Sequence, residues 1–256
     1  MFFKNNRDRF YPVSIIFKGQ NPVAMMSAAP LCSRVSDGLH CPACKHSSCI
    51  VKNGSTKTGK QQYYCKSCSK RFITCYTYNA YQPAVNESIV KLTKEGLGIR
   101  SIARYLRISC TTVLKRILKI SVRLSAPVTF SSSAYEVDEL HTYIGDKSRA
   151  TWIVYALDRI TGNIVAFNIG KRSSLTIATV IDRLIVYAQR IYTDSLSHYR
   201  SLIPQGIHKV TPYGTNHIER KNLTLRTHLK RLSRRTICFS KSAAMLTACL
   251  KIYFWG

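Results

Sequence analysis

Two Cys-x-x-Cys pairs constrain the fold of this chain more than any other feature. Cys41 and Cys44 form the first pair, and Cys65 and Cys68 form the second after twenty intervening residues. Each pair can direct two thiolates at one point, and two pairs complete the tetrahedron that Zn²⁺ prefers. So short a segment has too little core to fold alone, so bound zinc, worth about 10–16 kcal/mol, would supply its stability. We therefore predict one structural zinc ion.

The residues around these cysteines are typical of a small β-structure. Residues 51–54 and 61–64 are predicted to form a hairpin, and residues 71–73 a third strand. The alternative is a redox role or unused thiols, and the spacing favours zinc.

The charge balance is unusual, because 39 Lys and Arg residues face only 12 Asp and Glu, for a net charge of +27. Such a chain needs a polyanionic partner, most often nucleic acid, although a ribosomal or packaging protein would also satisfy the charge. Eight of the twelve carboxylates lie within residues 135–219, between basic flanks. This pattern indicates phosphate binding by the flanks and metal or acid–base chemistry between them.

A helix-turn-helix is predicted over residues 84–122. Three short segments have helical apolar periodicity; Asn86 is expected to cap the first helix and Ser109 the third, and Arg107 occupies the turn between the last two. The alternative is an ordinary three-helix domain with a solvated charged face. The residues expected on the free face of the third helix, in contact with DNA, are Thr111, Thr112, Lys115, Arg116 and Lys119.

The pattern changes at residue 135. Residues 135–144, 152–158 and 164–169 are successive β-rich runs, and alternating helices and short strands follow them. Three meandering strands followed by α/β alternation is the order of an RNase H-like α/β domain, with a mixed five-stranded sheet. The chain is thus predicted to be multi-domain, comprising a segment of unknown role (1–38), a zinc ribbon (39–76), a helix-turn-helix (84–122), a linker (123–134), the catalytic domain (135–240) and a C-terminal helix (241–256).

Three carboxylates are predicted to converge in this domain. Asp138 lies inside its first strand, Asp194 ends its fourth, and Glu219 lies on a late helix. The first and fourth strands of such a sheet are neighbours, and carboxylates that meet there would bind two Mg²⁺ or Mn²⁺ ions for phosphoryl transfer. Arg226 lies two turns beyond Glu219, where it would meet a phosphate. Glu136 and Glu139 are expected on the opposite face of the strand from Asp138.

Three segments closely resemble the transposases of the insertion-sequence-one type: YEVDELHTYIG at 135–145, YTD at 192–194 and NHIERKNLTLRTHLKRL at 216–232. The resemblance covers about residues 39–256. It implies a DDE transposase with Asp138, Asp194 and Glu219 as metal ligands and Arg226 as the accompanying basic residue. It also implies that the zinc ribbon and the helix-turn-helix bind the terminal inverted repeats of the element. Ser195 departs from the glycine that is frequent after the second aspartate.

The expected reaction is cleavage of the element ends and joining of their 3′-hydroxyls to target DNA. The alternatives are an RNase H-like nuclease or resolvase, and a catalytically inactive DNA-binding repressor. We expect double-stranded DNA and further copies of the chain as partners, no membrane association, and a cytoplasmic, nucleoid-associated location, since no signal peptide is recognisable. Further DNA-binding residues are predicted near the carboxyl end: Arg220, Lys221, Lys230, Arg231, Arg234 and Arg235.

Overall fold

A computed structural model describes residues 38–128 and 133–256 of the chain. The predicted segment 1–38, apart from its last residue, and residues 129–132 of the predicted linker (123–134) therefore lie outside the described residues, and the last two residues of that linker belong to the first strand of the third unit. Within those residues, no helix combines the length and the hydrophobicity that a membrane-spanning segment requires.

The first unit is a three-stranded antiparallel sheet of β1 (Ile50–Ser55), β2 (Gln61–Cys65) and β3 (Lys70–Ile73), paired in that order. Its buried apolar cluster consists of Cys41, Cys65 and Phe72, with Tyr63 stacked on Phe72. Three buried residues are a small core, so the hydrophobic effect alone gives this unit little stability.

The second unit contains helices α1 (Val85–Lys94), α2 (Ile99–Leu106) and α3 (Cys110–Val122). Arg107 adopts a left-handed conformation between α2 and α3, and the Ser109 side chain accepts a hydrogen bond from the Thr112 N–H, as an N-cap does. The predicted cap at Asn86 is wrong, because α1 already begins at Val85. Asn86 instead accepts a 2.7 Å hydrogen bond from Arg116 on α3.

The third unit is built on a mixed five-stranded sheet. It contains β4 (Ser133–Ile144), β5 (Asp146–Asp158), β6 (Ile164–Gly170), β7 (Ala188–Tyr192) and β8 (His208–Lys209), in the spatial order β6-β5-β4-β7-β8. The first three strands are antiparallel, whereas β7 runs parallel to β4 and β8 parallel to β7. The predicted neighbourhood of the first and fourth strands is therefore present.

Helices cover both faces of this sheet. Helices α4 (Ser174–Ile185) and α5 (Ser197–Leu202) pack with Tyr135 and Val137 of β4 on one face. Helices α6 (Asn216–His228) and α7 (Ala243–Trp255) pack with Leu140 on the other. Alternate residues of a strand face opposite sides, so the even-numbered positions of β4 from 136 to 140 face α6.

Helix α7 is shared between two cores. Leu246 and Leu250 are buried against the sheet and α6. Ala248, Cys249 and Ile252 are buried in the cluster that also contains the inner faces of α1, α2 and α3. The helix-turn-helix unit is therefore completed by a fourth helix that comes from the carboxyl end of the chain.

Candidate active site

Asp138 and Asp194 are brought together by two adjacent parallel strands. Strand β7 pairs with β4 only as far as Glu136, and Asp194 follows its end by two residues. Beyond that point the edge of β4 that carries Asp138 is not covered by β7. Oxygen atoms of Asp138, Glu139 and Asp194 all lie within 4.8 Å of one another. Three carboxylate oxygens at this spacing are a donor set that suits a hard divalent cation.

Glu139 is the member of this group that the sequence interpretation did not favour. Its strand face is opposite to that of Asp138, as expected, and its carboxylate accepts hydrogen bonds from Tyr199 (2.9 Å) and Arg172 (3.4 Å). At the uncovered edge of β4 its oxygen nevertheless comes close to the two aspartates. Facing the other side of a strand thus does not exclude a carboxylate from a site at the strand edge.

The expectation for Glu136 is wrong. The side-chain period of a strand is two residues, so Glu136 lies on the same face as Asp138. It is fully buried and contacts His217 and Ile218 at the start of α6.

The carboxylate of Asp138 is held by a short chain of hydrogen bonds. The Asn222 amide donates to Asp138 Oδ2 at 2.6 Å, and the Tyr155 hydroxyl donates to Asn222 Oδ1 at 2.7 Å. Because Tyr155 donates to the amide oxygen, the Asn222 NH₂ group is turned toward Asp138. Neither Asn222 nor Tyr155 was predicted as a site residue, although Asn222 lies three residues after Glu219 on the same helix face.

The electrostatics of Asp138 favour a cation beside it. Burial raises the pKa of Asp138 to about 6, and the negative charges of Glu139 and Asp194 add to this effect, whereas hydrogen bonds from the Glu139 N–H and from Asn222 oppose it. A bound divalent ion would offset the repulsion among these groups.

Glu219 lies on the exposed side of α6, outside the group of three carboxylates. It accepts a 3.0 Å hydrogen bond from the Thr215 hydroxyl. Glu219, Asn222 and Arg226 line one cleft at successive turns of the helix. Glu219 therefore shares a helix face with the residue that contacts Asp138.

Arg226 lies between this cleft and a second one of about 480 Å³. The second cleft is also lined by aromatic side chains of β4 and β5, namely His141, Tyr143 and Trp152. The guanidinium of Arg226 donates to the Leu232 carbonyl at 3.2 Å. Burial and the nearby charge of Arg234 lower its pKa, which is the behaviour of a cation that gains from a bound anion.

The four cysteines predicted to bind zinc lie together. Their sulfur atoms are all within 4.8 Å of one another, and two of the distances between the pairs, Cys41–Cys68 and Cys44–Cys65, are both 3.5 Å. The Cys44 N–H hydrogen bond lowers the pKa of Cys41 to about 6, whereas burial and the neighbouring thiols raise the pKa values of Cys44 and Cys68. A bound metal ion would hold all four as the thiolates that it needs. The donor set and its size fit a Zn²⁺ ion.

The predicted DNA-contacting residues of α3 fall into two groups. Thr111, Lys115 and Lys119 are exposed. Thr112 and Arg116 are half-buried and have partners inside the unit, because the Thr112 hydroxyl lies 2.8 Å from that of Ser109 and Arg116 bonds to Asn86 and to the Ala80 carbonyl.

The basic residues near the carboxyl end are mostly accessible. Of these, Arg231 is half-buried and donates to the Ser240 hydroxyl at 2.8 Å. Lys221 is also half-buried. The exposed members of the set are Arg220, Lys230, Arg234 and Arg235.

Two family models match this chain. The family model described as IS1 transposase matches residues 133–254, which include the whole carboxylate site, and the model described as InsA C-terminal domain matches residues 76–122, the helix-turn-helix unit. The chain is a DNA transposase of the IS1 family. Both matched regions lie in this one polypeptide.

Several curated relatives are InsB proteins of insertion elements. The iso-IS1n protein InsB of Shigella dysenteriae is 38% identical over 108 residues, which are 42% of this chain and 82% of that protein. An IS1 InsB protein of Shigella flexneri is 38% identical over 43% of this chain and 85% of its own length. An InsB protein of Escherichia coli K12 is 39% identical over 42% and 65%.

Two solved structures show a weak likeness to this chain. A chain of the simian T-cell lymphotropic virus intasome, in complex with PP2A regulatory subunit B56 gamma, is 16% identical with a TM-score of 0.35, over 63% of this chain and 66% of that one. The HTLV-2 integrase catalytic core domain in complex with magnesium is 14% identical with a TM-score of 0.33, over 48% and 84%.

Proposed function

We propose that this transposase cleaves the ends of its insertion element and joins the resulting 3′-hydroxyls to target DNA at the site formed by Asp138, Asp194 and Glu219. The observation that carries this proposal is the convergence of Asp138 and Asp194 from adjacent parallel strands, beside a third carboxylate, at an uncovered sheet edge. Such an edge can admit a DNA backbone, which an enclosed pocket could not.

The metal-binding roles follow from the donor set. Asp138 and Asp194 would hold the divalent ions, with Glu219 reaching them from α6 once DNA is bound. Two Mg²⁺ or Mn²⁺ ions there would activate the attacking oxygen and stabilise the leaving oxygen. Glu139, within 4.8 Å of both aspartates, supplies a further oxygen to the same site.

The remaining side chains of the site act on orientation and charge. Asn222 fixes the Asp138 carboxylate through its 2.6 Å hydrogen bond, and Tyr155 fixes Asn222. Arg226 faces the cleft next to Glu219, where it would bind a phosphate of the strand being cleaved. Arg220 and Lys221 would position the neighbouring phosphates.

The amino-terminal units would recognise the element ends. Cys41, Cys44, Cys65 and Cys68 would hold one Zn²⁺ and thereby stabilise the ribbon at 39–76. In the helix-turn-helix at 84–122, the exposed face of α3 would enter the terminal inverted repeat. Thr111, Lys115 and Lys119 are free for this contact; Thr112 and Arg116 would also need to leave their present partners.

The other basic residues would bind the DNA backbone outside the reacting centre. Accessible cations track phosphates without reading bases, so they add affinity more than specificity. The residues assigned to this role are Lys230, Arg231, Arg234 and Arg235. Because two element ends must be handled together, the active species would be an oligomer of this chain, acting at the nucleoid in the cytoplasm.

Assays of cleavage with uncut element ends and of strand transfer with pre-cut ends test the assignment. We expect the parent protein to join the ends to target DNA in Mg²⁺, and Asp194→Asn to lose both cleavage and joining while it still binds the ends. Asp182→Asn, the same change at an exposed position of α4, is the matched control and should join normally. Cleavage without joining would indicate a nuclease, binding alone a repressor, and normal joining by Asp194→Asn would refute the site.

A further inference from the structure

We propose that Glu136 is a positioning residue for the metal site, which fixes the start of α6 against β4 so that Asn222 is held against Asp138 and Glu219 is kept on the neighbouring turn of the same helix. This inference rests on the proposed metal-binding role of Asp138, Asp194 and Glu219. Glu136 is not itself part of the group of carboxylates that lie within 4.8 Å of one another.

The contacts of Glu136 are unusually complete for a carboxylate with no exposed surface. Oε2 accepts a 2.8 Å hydrogen bond from the Ile218 N–H, and Oε1 lies 2.6 Å from His217 Nδ1 and 3.0 Å from Arg159 Nε. A buried carboxylate is costly unless its oxygens are satisfied. Each oxygen of Glu136 has a partner.

Glu136 takes the place of an N-cap for α6. The residue at the cap position, Thr215, makes no side-chain cap hydrogen bond and donates its hydroxyl to Glu219 instead. The first turn of a helix has unsatisfied N–H groups and a partial positive charge. Here one of these N–H groups, that of Ile218, bonds to a carboxylate from another element, so the helix start is tied to the sheet.

Glu136 is also linked, through Arg159, to strand β7, which leads to Asp194. Arg159, its partner, stacks over the ring of Tyr192 at 4.2 Å, and Tyr192 ends β7 two residues before Asp194. The bond to Ile218 is adjacent in sequence to Glu219 and one turn before Asn222, while Asp138 follows Glu136 by two residues on the same strand face. A displacement of α6 relative to β4 would therefore break the hydrogen bond from Asn222 to Asp138 and would move Glu219 relative to the two aspartates.

Metal binding without DNA gives the most direct test. We expect Glu136→Gln to weaken Mn²⁺ binding about 10-fold or more in an electron paramagnetic resonance titration, since loss of an outer partner of a metal site has effects of this size. The Mg²⁺ concentration for half-maximal joining should rise in parallel, whereas binding of the element ends should not change. General destabilisation would lower the active fraction without moving the half-saturation concentration.

Two further variants make the result decisive. His217→Ala removes one hydrogen-bond partner of Glu136. Because the His217 side chain is 59% exposed, this variant should fold normally, and it should weaken Mn²⁺ binding by a smaller factor than Glu136→Gln does. Asp158→Asn changes another buried carboxylate of the same sheet, which accepts hydrogen bonds from the backbone N–H groups of Ile160 and Thr161 in its own turn, and should leave Mn²⁺ binding unchanged. Parent-like Mn²⁺ binding by both Glu136→Gln and His217→Ala would overturn the inference. Equal Mn²⁺ binding by the parent and Asp194→Asn would overturn the proposed metal site as well.

Discussion

Asp138 is the residue at which protonation would oppose the proposed binding of metal ions. Burial and two neighbouring carboxylates raise its pKa to about 6 from an ordinary value of 3.8. In the metal-free protein, Asp138 therefore binds its proton more tightly in the folded state than in the unfolded chain. Protonation of Asp138 thus contributes to the stability of the fold. That contribution to stability is fully present below pH 3.8 and is lost as the pH rises through 6.

Because protons and divalent ions compete for Asp138, we expect Mg²⁺ to raise the melting temperature more at pH 7.5 than at pH 5. Differential scanning calorimetry with and without Mg²⁺ at the two pH values measures this difference. Asp138→Asn, which cannot titrate, should show little Mg²⁺ effect at either pH. A parent protein whose Mg²⁺ effect is the same at both pH values would contradict the prediction.

At the same scale, the sequence predicted some site residues and missed others for geometric reasons. Asp138 and Asp194 could be placed together because strand order alone makes their strands neighbours. Glu139 could not be assigned to the site from the sequence, because its position there depends on where β7 stops pairing with β4. The extent of this pairing is set by the tertiary structure. Asn222 reaches Asp138 only because α6 packs at one particular angle, and no periodicity encodes that angle.

Helix α3 likewise has features that could be predicted from the sequence and contacts that could not. Its cap at Ser109 and its buried face could be predicted from local sequence, since capping and amphipathic periodicity are short-range properties. The partner of Arg116 could not, because Asn86 is thirty residues away on α1. The wrong cap predicted for α1 has the same origin, since the Asn86 side chain is used between helices rather than at a helix end.

Lys115 is exposed on α3 whereas its neighbour Arg116 bonds within the unit, so substitutions at the two positions should have different effects. Lys115→Ala should weaken binding to every DNA sequence and reduce the slope of log affinity against log salt by about one, the value expected for one lost phosphate contact. Arg116→Ala should lower the free energy of unfolding by about 1–3 kcal/mol through lost charged hydrogen bonds. Gel-shift titrations and denaturant melts measure the two quantities; an unchanged salt slope in Lys115→Ala would contradict the DNA-facing role.

The small core of the proposed zinc ribbon predicts that its fold would depend on the metal. Only Cys41, Cys65 and Phe72 form its buried apolar cluster. Cys65→Ser should therefore lose bound zinc and specific end binding together, as measured by metal analysis and gel shift. Cys238→Ser, at an exposed free thiol, should retain both. A parent protein without zinc would remove the assignment.

At the scale of the whole molecule, helix α7 packs against both the helix-turn-helix unit and the sheet that carries the candidate active site. The sequence indicates an apolar C-terminal helix but not its two partners, because α7 is apolar on nearly all sides and so has no single preferred face. In the structure Cys249 and Ile252 face α1 and α3, and Leu246 and Leu250 face the sheet. A close approach at the turn after α1 adds to this contact, since a side chain at Gly96 would collide with the His228 carbonyl oxygen at the end of α6.

Two substitutions on α7 should separate its roles. Ile252 and Leu250 are both fully buried, so truncation of either to alanine should cost about 2–5 kcal/mol. Ile252→Ala should increase hydrogen exchange first in α1 and α3 and weaken end binding, although it lies 130 residues beyond α3. Leu250→Ala should instead increase exchange in β5 and α6 and slow joining at saturating DNA. Because the same helix supplies both side chains, a difference in helix formation cannot explain opposite patterns. Unchanged exchange in α1 and α3 of Ile252→Ala would show that the helix-turn-helix is stable without α7.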